Sequence, residues 1–323
     1  MADDLDRVRP RDPAVLLGAA TGGDRAALAR LISLVERGGE TARRVGRITH
    51  RLGGRAYTVG ITGAPGAGKS TLTNRLLDHL RGLGTEVAVL AVDPSSPFSG
   101  GAILGDRVRM QDHAGDRGVY IRSMATRGHV GGLALATPEA IRVLDAAGFP
   151  FVMVETVGVG QVEVEVAGAA DTTVVVVNPG WGDAVQANKA GLLEAADVLV
   201  VNKSDRPGAA EARRDLDMML DMNLAPGPWR PPVLSTVASN GEGVAALWDA
   251  VLAHRVHQER SGALRERRTR RMATEVRAIV LHRLMLRADE RCSGTRFDSA
   301  VADVTARRTD PWSAVDGLLD DAT

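Results

Sequence analysis

Short apolar runs alternate with amphipathic segments through the middle of the chain. The runs are rich in valine, isoleucine and leucine and are nearly continuous, which predicts parallel strands buried on both faces. They cover residues 57–62, 87–92, 119–122, 151–155, 173–177, 198–201 and 233–235. Because the intervening segments have helical periodicity, the pattern predicts an α/β fold with a parallel sheet flanked by helices.

The two ends of the chain have a helical pattern instead. Near the N-terminus, Asp24 can cap a helix whose apolar positions share one face, and a second helix is predicted from about residue 41 to 52. After Gly243 a long basic stretch, residues 255–291, carries an apolar stripe. We therefore predict three parts, which are a helical N-terminal segment at 1–55, an α/β domain at 56–260 and a helical C-terminal arm at 261–323.

Composition excludes several classes of protein. Lysine plus arginine and aspartate plus glutamate each number 40, so the net charge is zero and we expect no nucleic-acid partner. No apolar run is long enough to cross a bilayer and the polar start is unlike a secretory signal, so we expect a cytoplasmic protein that binds no membrane. The single cysteine, Cys292, excludes C-x-x-C zinc and redox sites, and we expect it to be buried.

The sequence GAPGAGKS has the G-x-x-x-x-G-K-[ST] pattern of a phosphate-binding loop (P-loop) and lies between a predicted strand and a predicted helix. Its glycines allow backbone N–H groups to converge on phosphate oxygens, and the helix N-terminus adds partial positive charge. We predict that Lys69 is catalytic and reaches the β- and γ-phosphates, and that the Ser70 hydroxyl binds Mg²⁺. The nucleotide-binding residues predicted here are Gly63, Ala64, Pro65, Gly66, Ala67, Gly68, Lys69, Ser70 and Thr71.

A second motif, NKSD at residues 202–205, predicts that the bound base is guanine. A buried Asp205 carboxylate can accept from the guanine N1–H and 2-amino groups, neither of which adenine offers. The Lys203 stem can lie over the base, and Asn202 can tie its loop to the P-loop. The Ala238 N–H, just after a predicted strand, could face guanine O6. GTP and GDP are therefore the predicted ligands, which opposes the alternatives of a small-molecule kinase or a transport ATPase.

Acidic residues at the ends of predicted strands could complete a Mg²⁺ site. Glu155 is predicted to hold the metal and take part in catalysis, and the Gly158 N–H could contact the γ-phosphate. Asp93 and Asp106 could bind Mg²⁺ directly or through water, although an acid that caps a helix is an open alternative for Asp106. Val159 stands where small signalling GTPases have a water-orienting glutamine, so we expect slow hydrolysis without a partner.

Taken together, the motifs resemble the family of GTPases that chaperone methylmalonyl-CoA mutase, the MeaB-type proteins. The resemblance covers nearly the whole chain. It is most specific in segments that nucleotide binding alone does not explain: VAVLAVDPSSPFSGGAILGDRVRM, IRSMATRGHVGGLA, ETVGVGQ and NPGWGDAVQANKAG.

The resemblance implies a P-loop GTPase with three switch segments, at residues 93–106, 155–161 and 178–189. It implies that Lys189 takes part in partner-stimulated hydrolysis and that the C-terminal arm forms a homodimer. The implied partner is adenosylcobalamin-dependent methylmalonyl-CoA mutase or a related acyl-CoA mutase, whose cofactor loading and protection GTP would gate. A nickel-type metal-delivery GTPase is the alternative, but such proteins need Cys or His ligands near the switches, far in sequence from Cys292.

Overall fold

A computed structural model of the chain describes residues 12–94, 113, 115–126, 132–156, 168–180, 195–222 and 228–319. All seven predicted strands are present, each within a few residues of its predicted bounds. They are β1 (Tyr57–Gly63), β2 (Val87–Pro94), β3 (Val119–Thr126), β4 (Phe151–Thr156), β5 (Thr172–Val177), β6 (Val198–Asn202) and β7 (Val233–Thr236).

Ten helices lie in the described ranges. They are α1 (Pro13–Thr21), α2 (Arg25–Arg37), α3 (Gly39–Leu52), α4 (Lys69–Gly82), α5 (Gly132–Ala146), α6 (Ala209–Asp221), α7 (Val244–Ser261), α8 (Ala263–Arg291), α9 (Gly294–Thr305) and α10 (Pro311–Leu319). Asp24 caps α2 as predicted, because its side chain accepts from the Ala26 and Ala27 N–H groups. Within these ranges, every helix is too short or too polar to cross a membrane.

The strands form one parallel sheet in the order β3-β2-β4-β1-β5-β6-β7, which confirms the predicted fold class. Strand β1 lies at the centre between β4 and β5. Every residue of β1, β5 and β6 is buried, as expected for strands covered on both faces. Because all seven strands are parallel, their carboxyl ends meet at one edge of the sheet, which is where open parallel sheets bind their ligands.

Successive side chains of the strands face two different layers of helices. On one face, Val59 and Ile61 pack with the apolar side chains of α4 and α7, including Leu76 and Trp248. On the other face, strands β2 to β4 pack against α1, α2, α3 and α5, while α6 covers β5 and β6. The N-terminal helices are thus part of the layer that covers the sheet, and an Arg122–Glu36 ion pair of 2.6 Å joins β3 to α2.

The chain divides into two compact units, Met1–Arg271 and Met272–Thr323. The three-part division predicted above has different boundaries and stays a prediction. The basic stretch predicted at 255–291 is interrupted at Gly262, whose φ of 80° lies in the left-handed region and separates α7 from α8. In the second unit, Cys292 is exposed, so the expectation that it is buried was wrong.

Candidate functional site

The P-loop lies between β1 and α4, at the carboxyl edge of the sheet. Gly66 and Gly68 have φ values of 71° and 90°, a region that favours glycine. A Cβ on Gly63 would overlap the backbone of Val176 on β5, so this position also requires glycine. Helix α4 begins at Lys69, and its first N–H groups point toward the loop. The backbone is therefore shaped for an anion at a helix N-terminus, as predicted.

The Lys69 side chain is buried and folds back over the P-loop. Its Nζ donates to the carbonyl oxygens of Gly63, at 2.7 Å, and Ala64, at 3.2 Å. These contacts hold the ammonium group against the concave side of the loop. A fixed cation in this place can stabilise charge on a bound polyphosphate.

Ser70 and Glu155 meet directly beneath the P-loop. The Ser70 hydroxyl donates to Glu155 Oε1 at 2.6 Å, and the carboxylate, at the end of β4, is fully buried. A hydroxyl beside a carboxylate is the oxygen-donor chemistry that Mg²⁺ prefers, and Mg²⁺ usually completes its shell with water and substrate phosphates. The pair therefore fits a Mg²⁺ ion, although within the described ranges no three His, Cys, Asp or Glu side chains cluster as a metal site.

The NKSD motif contacts the P-loop through two side chains. Asn202 donates from Nδ2 to the Ala67 carbonyl at 2.7 Å, and Lys203 donates from Nζ to the Gly66 carbonyl at 2.7 Å. Asn202 Oδ1 also accepts from the Thr236 hydroxyl at 3.0 Å and from the Ala238 N–H at 3.1 Å. Asn202 therefore joins three loops, which is the tie to the P-loop that the sequence predicts.

Asp205 and Ala238 differ from the expectations in one respect each. Asp205 is exposed on the loop after β6, so the expectation of a buried carboxylate was wrong. Ala238 is buried, and its N–H, predicted to face guanine O6, donates to Asn202 Oδ1. Pro65, within the P-loop, and Thr71, in the first turn of α4, are exposed.

Several predicted residues fall outside what the structure describes. Asp106, Gly158, Val159 and Lys189 lie outside the described residues, and of Asp93 only the backbone, at the end of β2, is described. Their predicted roles stay predictions.

Arg75, on the second turn of α4, belongs to neither nucleotide-binding motif of the sequence but contacts the loop after β7. Its Nε donates to the Ala238 carbonyl at 3.2 Å, and its Nη2 donates to the Ser239 carbonyl at 3.0 Å. Because 163 residues separate Arg75 from Ala238, no local pattern could have indicated this contact.

A charged network lies at the opposite, amino-terminal edge of the sheet. The fully buried Asp171 carboxylate accepts from Arg268 Nη2 at 2.6 Å, from Arg271 Nη2 at 3.2 Å and from the Thr58 N–H at 3.0 Å. Arg268 also donates to the Ala56 carbonyl at 2.8 Å. The first turns of α8 are thereby fixed to the start of β1 and to the residue before β5.

Two pKa values in this region are displaced in ways that the contacts explain. Burial raises the pKa of the Asp171 carboxyl, but the hydrogen bond from Arg268 and the charges of Arg271 and Arg268 outweigh it, so the pKa lies below its ordinary value. Burial, together with the Arg267 charge, lowers the pKa of His254 from 6.5 to about 3. Asp171 is therefore ionised and His254 is neutral near pH 7.

Known proteins resemble this chain over most of its length. The family model described as methylmalonyl-CoA mutase-associated GTPase MeaB matches residues 28–293, a span that contains every predicted site residue. A protein of Pyrococcus abyssi that is named as a GTPase is 50% identical over 300 residues, 92% of this chain and 93% of that protein. The GTPase ArgK of Escherichia coli is 38% identical over 254 residues, 76% of each chain.

A solved structure extends the similarity to the fold. The crystal structure of an LAO/AO transport system kinase has a TM-score of 0.72 and 26% identity, and the similarity covers 97% of this chain and 98% of that one. The sheet and its flanking helices are therefore shared, and the relatives with the higher identities carry the name GTPase.

Proposed function

Because this chain belongs to the family of methylmalonyl-CoA mutase-associated GTPases of the MeaB type, we propose that it couples GTP hydrolysis to the chaperoning of an adenosylcobalamin-dependent acyl-CoA mutase. Methylmalonyl-CoA mutase is the proposed client, and the proposed task is to gate loading of its cofactor and to protect the loaded enzyme. The observation that carries this proposal is the family match over residues 28–293, whose description names that mutase. GTP hydrolysis itself follows from membership of the family.

In the proposed phosphate site, the chain supplies charge and backbone donors. The N–H groups of the P-loop and of the first turn of α4 bind the β- and γ-phosphates, and the Lys69 ammonium, which the Gly63 and Ala64 carbonyls hold beside the loop, stabilises their charge. When bound, Mg²⁺ would neutralise charge on the phosphate oxygens. Ser70 and Glu155, together with the predicted ligands Asp93 and Asp106, would hold it.

In the proposed base site, the contacts of Asn202 keep the guanine-reading groups in register with the phosphate site. Asp205 would accept from the guanine N1–H and 2-amino groups, and the Ala238 N–H would exchange its bond to Asn202 Oδ1 for one to O6. Because Asp205 is exposed, a bound base would remove water from its carboxylate. Guanine offsets this loss with two donors, whereas adenine offers none, so the desolvation of the carboxylate adds to the discrimination against adenine. Lys203, tethered to Gly66, keeps its aliphatic stem beside this position.

The client proposal predicts that purified methylmalonyl-CoA mutase accelerates GTP hydrolysis by this chain. Without the mutase, we expect a rate of about 10⁻⁴ to 10⁻² per second, as for GTPases that lack a water-orienting group. The Lys189→Ala variant should lose the acceleration, because the family resemblance assigns Lys189 to partner-stimulated hydrolysis. The measurement is single-turnover GTP hydrolysis with and without the mutase.

Arg47→Ala is a suitable control for this experiment. Arg47 is a highly exposed cation of α3 that pairs at 4.0 Å with the exposed Glu40, so its variant should respond to the mutase as the parent does. Absence of any acceleration of the parent by the mutase would contradict the client proposal. Equal acceleration of the parent and Lys189→Ala would contradict only the role of Lys189.

We also propose that the chain is a homodimer, joined through an apolar face of α8. Val276, Val280 and Leu284 recur every fourth residue and are 60%, 51% and 53% exposed. Left in water, such a stripe is an apolar patch of the kind that marks an interface. Light scattering should give twice the chain mass of 34.1 kDa for the parent and 34.1 kDa for the double variant Val280→Glu, Leu284→Glu.

Glutamate is chosen because it favours helix while adding charge to the proposed interface. Val15→Glu on α1 is the matched control, because Val15 is 54% exposed and lies outside α8. It should keep the dimer mass. A monomeric parent at tens of micromolar, or a dimeric double variant, would rule out this interface.

A further inference from the structure

Arg75 connects the helix that follows the P-loop to the loop after β7. Its guanidinium is partly exposed and spans two consecutive backbone carbonyls, Ala238 at 3.2 Å from Nε and Ser239 at 3.0 Å from Nη2. Its third nitrogen, Nη1, donates to Asp78 at 3.0 Å, one turn further along α4. The planar guanidinium is thus held on one side by its own helix and presents its other donors to the loop.

The Ala238 residue is therefore held at both ends. Its N–H donates to Asn202 Oδ1, and its carbonyl accepts from Arg75 Nε. The next residue, Ser239, is exposed. The direction in which the Ala238 N–H points consequently depends on two side chains, of which Asn202 belongs to the predicted base-reading motif and Arg75 does not.

We propose that Arg75 is a positioning residue for guanine recognition, which aims the Ala238 N–H at O6 of the base. The inference rests on the proposed base site, in which Ala238 donates to O6. Arg75 itself does not touch the base. It holds the Ala238 and Ser239 carbonyls, which belong to two successive peptide groups, through separate donors of one planar guanidinium.

This role makes a specific prediction about which atom of guanine loses its partner. Without Arg75, the loop after β7 loses the two contacts that hold its backbone at Ala238 and Ser239, so Ala238 is less firmly placed and its bond to O6 weakens. Recognition of the 2-amino group by Asp205, on the loop after β6, should be unchanged. A merely structural contribution of Arg75 would instead weaken binding of all guanine-type nucleotides by the same factor.

The experiment measures dissociation constants of the full-length parent and Arg75→Ala for GDP, 6-thio-GDP and IDP by calorimetry or competition. The sulfur of 6-thio-GDP is a weak acceptor in place of O6, and IDP lacks the 2-amino group. We expect the parent to prefer GDP over 6-thio-GDP by roughly three- to tenfold. In Arg75→Ala this preference should fall to near unity, whereas the preference for GDP over IDP should stay within about twofold of the parent's.

Two further variants keep the test informative if Arg75→Ala folds poorly. Arg75→Lys keeps a cation but lacks the planar fork of donors, so it should keep an intermediate preference for GDP over 6-thio-GDP. Arg81→Ala is the matched control, because Arg81 is on the same helix but donates to Asp116 and the Thr85 carbonyl. It should retain the parent's ratios.

The possible failures are distinguishable. If the parent discriminates against 6-thio-GDP and the Arg75 variants do so equally, the positioning role is wrong and the proposed base site stands. If the parent binds GDP and 6-thio-GDP equally, reading of O6 by Ala238 fails, and the role of Arg75 fails with it. A common loss of affinity for all three nucleotides would also overturn the proposal.

Discussion

Replacing Lys69 by alanine should lower the single-turnover rate of GTP hydrolysis by at least about 100-fold. The Lys69 ammonium is buried against the Gly63 and Ala64 carbonyls, so the charge is already in place when phosphates bind. Its loss removes a preorganised cation from the site at which negative charge moves during phosphoryl transfer. The measurement is hydrolysis of GTP at saturating protein, with the thermal midpoint recorded for both proteins.

The Ser70→Ala variant separates loss of the lysine charge from loss of a metal ligand. Because Ser70 donates to Glu155, its removal should raise the Mg²⁺ concentration needed for half-maximal hydrolysis, whereas added Mg²⁺ should not restore Lys69→Ala. A folded Lys69→Ala protein that hydrolyses GTP at the parent rate would show that the P-loop is not the hydrolytic site.

Replacing Asp171 by alanine should destabilise the protein by about 3 kcal/mol. The carboxylate is fully buried, and its removal leaves Arg268 and Arg271 without their shared counterion. These arginines are only 29% and 18% exposed, so solvent cannot fully compensate them. Urea unfolding near pH 7 measures the loss. Asp303→Ala is the control, since Asp303 is exposed and its ion pair with Arg308 should contribute less than about 1 kcal/mol.

The pH dependence provides a second check on Asp171. Its pKa is lower in the folded state than the ordinary 3.8, so its stabilisation is fully present above that value and is lost as the pH falls through the folded pKa. The stability difference between parent and Asp171→Ala should therefore be equal at about pH 7 and about pH 5. Both proteins should lose stability between these values, because His254 is protonated near 6.5 when unfolded and near 3 when folded.

An Asp171→Ala protein as stable as the parent would mean that the arginines find other partners. A difference that already shrinks at about pH 5 would contradict the lowered pKa of Asp171.

The sheet could be predicted from the sequence because its strands are continuous apolar runs, and such runs have few other stable arrangements in a chain with helical spacers. The P-loop could be predicted because all its residues are adjacent in sequence. The predicted start of the C-terminal arm at residue 261 lies beside Gly262, which separates α7 from α8, although the helical pattern of the basic stretch continues through this glycine.

Contacts between distant segments could not be predicted. Asp171 follows a short stretch of small residues, and its partners in α8 belong to the basic stretch at 255–291, which has many arginines. Nothing local distinguishes Arg268 from the neighbouring arginines that remain in solvent. The exposure of Asp205 could not be predicted either, because the motif specifies what the carboxylate binds but not whether neighbouring segments cover it.

The order in which the chain leaves the ribosome determines when the nucleotide site can form. The P-loop is synthesised early, but its tether, Asn202, lies 135 residues beyond Ala67, and Ala238 lies 163 residues beyond Arg75. The contact from Arg268 to Ala56 spans 212 residues. A nascent chain that ends before Asn202 therefore lacks the side chain that donates to the P-loop. A chain that ends before Arg268 lacks a cation that pairs with the Asp171 carboxylate. Because Asn202 and Ala238 complete the contacts around the P-loop, we expect the nucleotide site to form only after synthesis has passed Ala238.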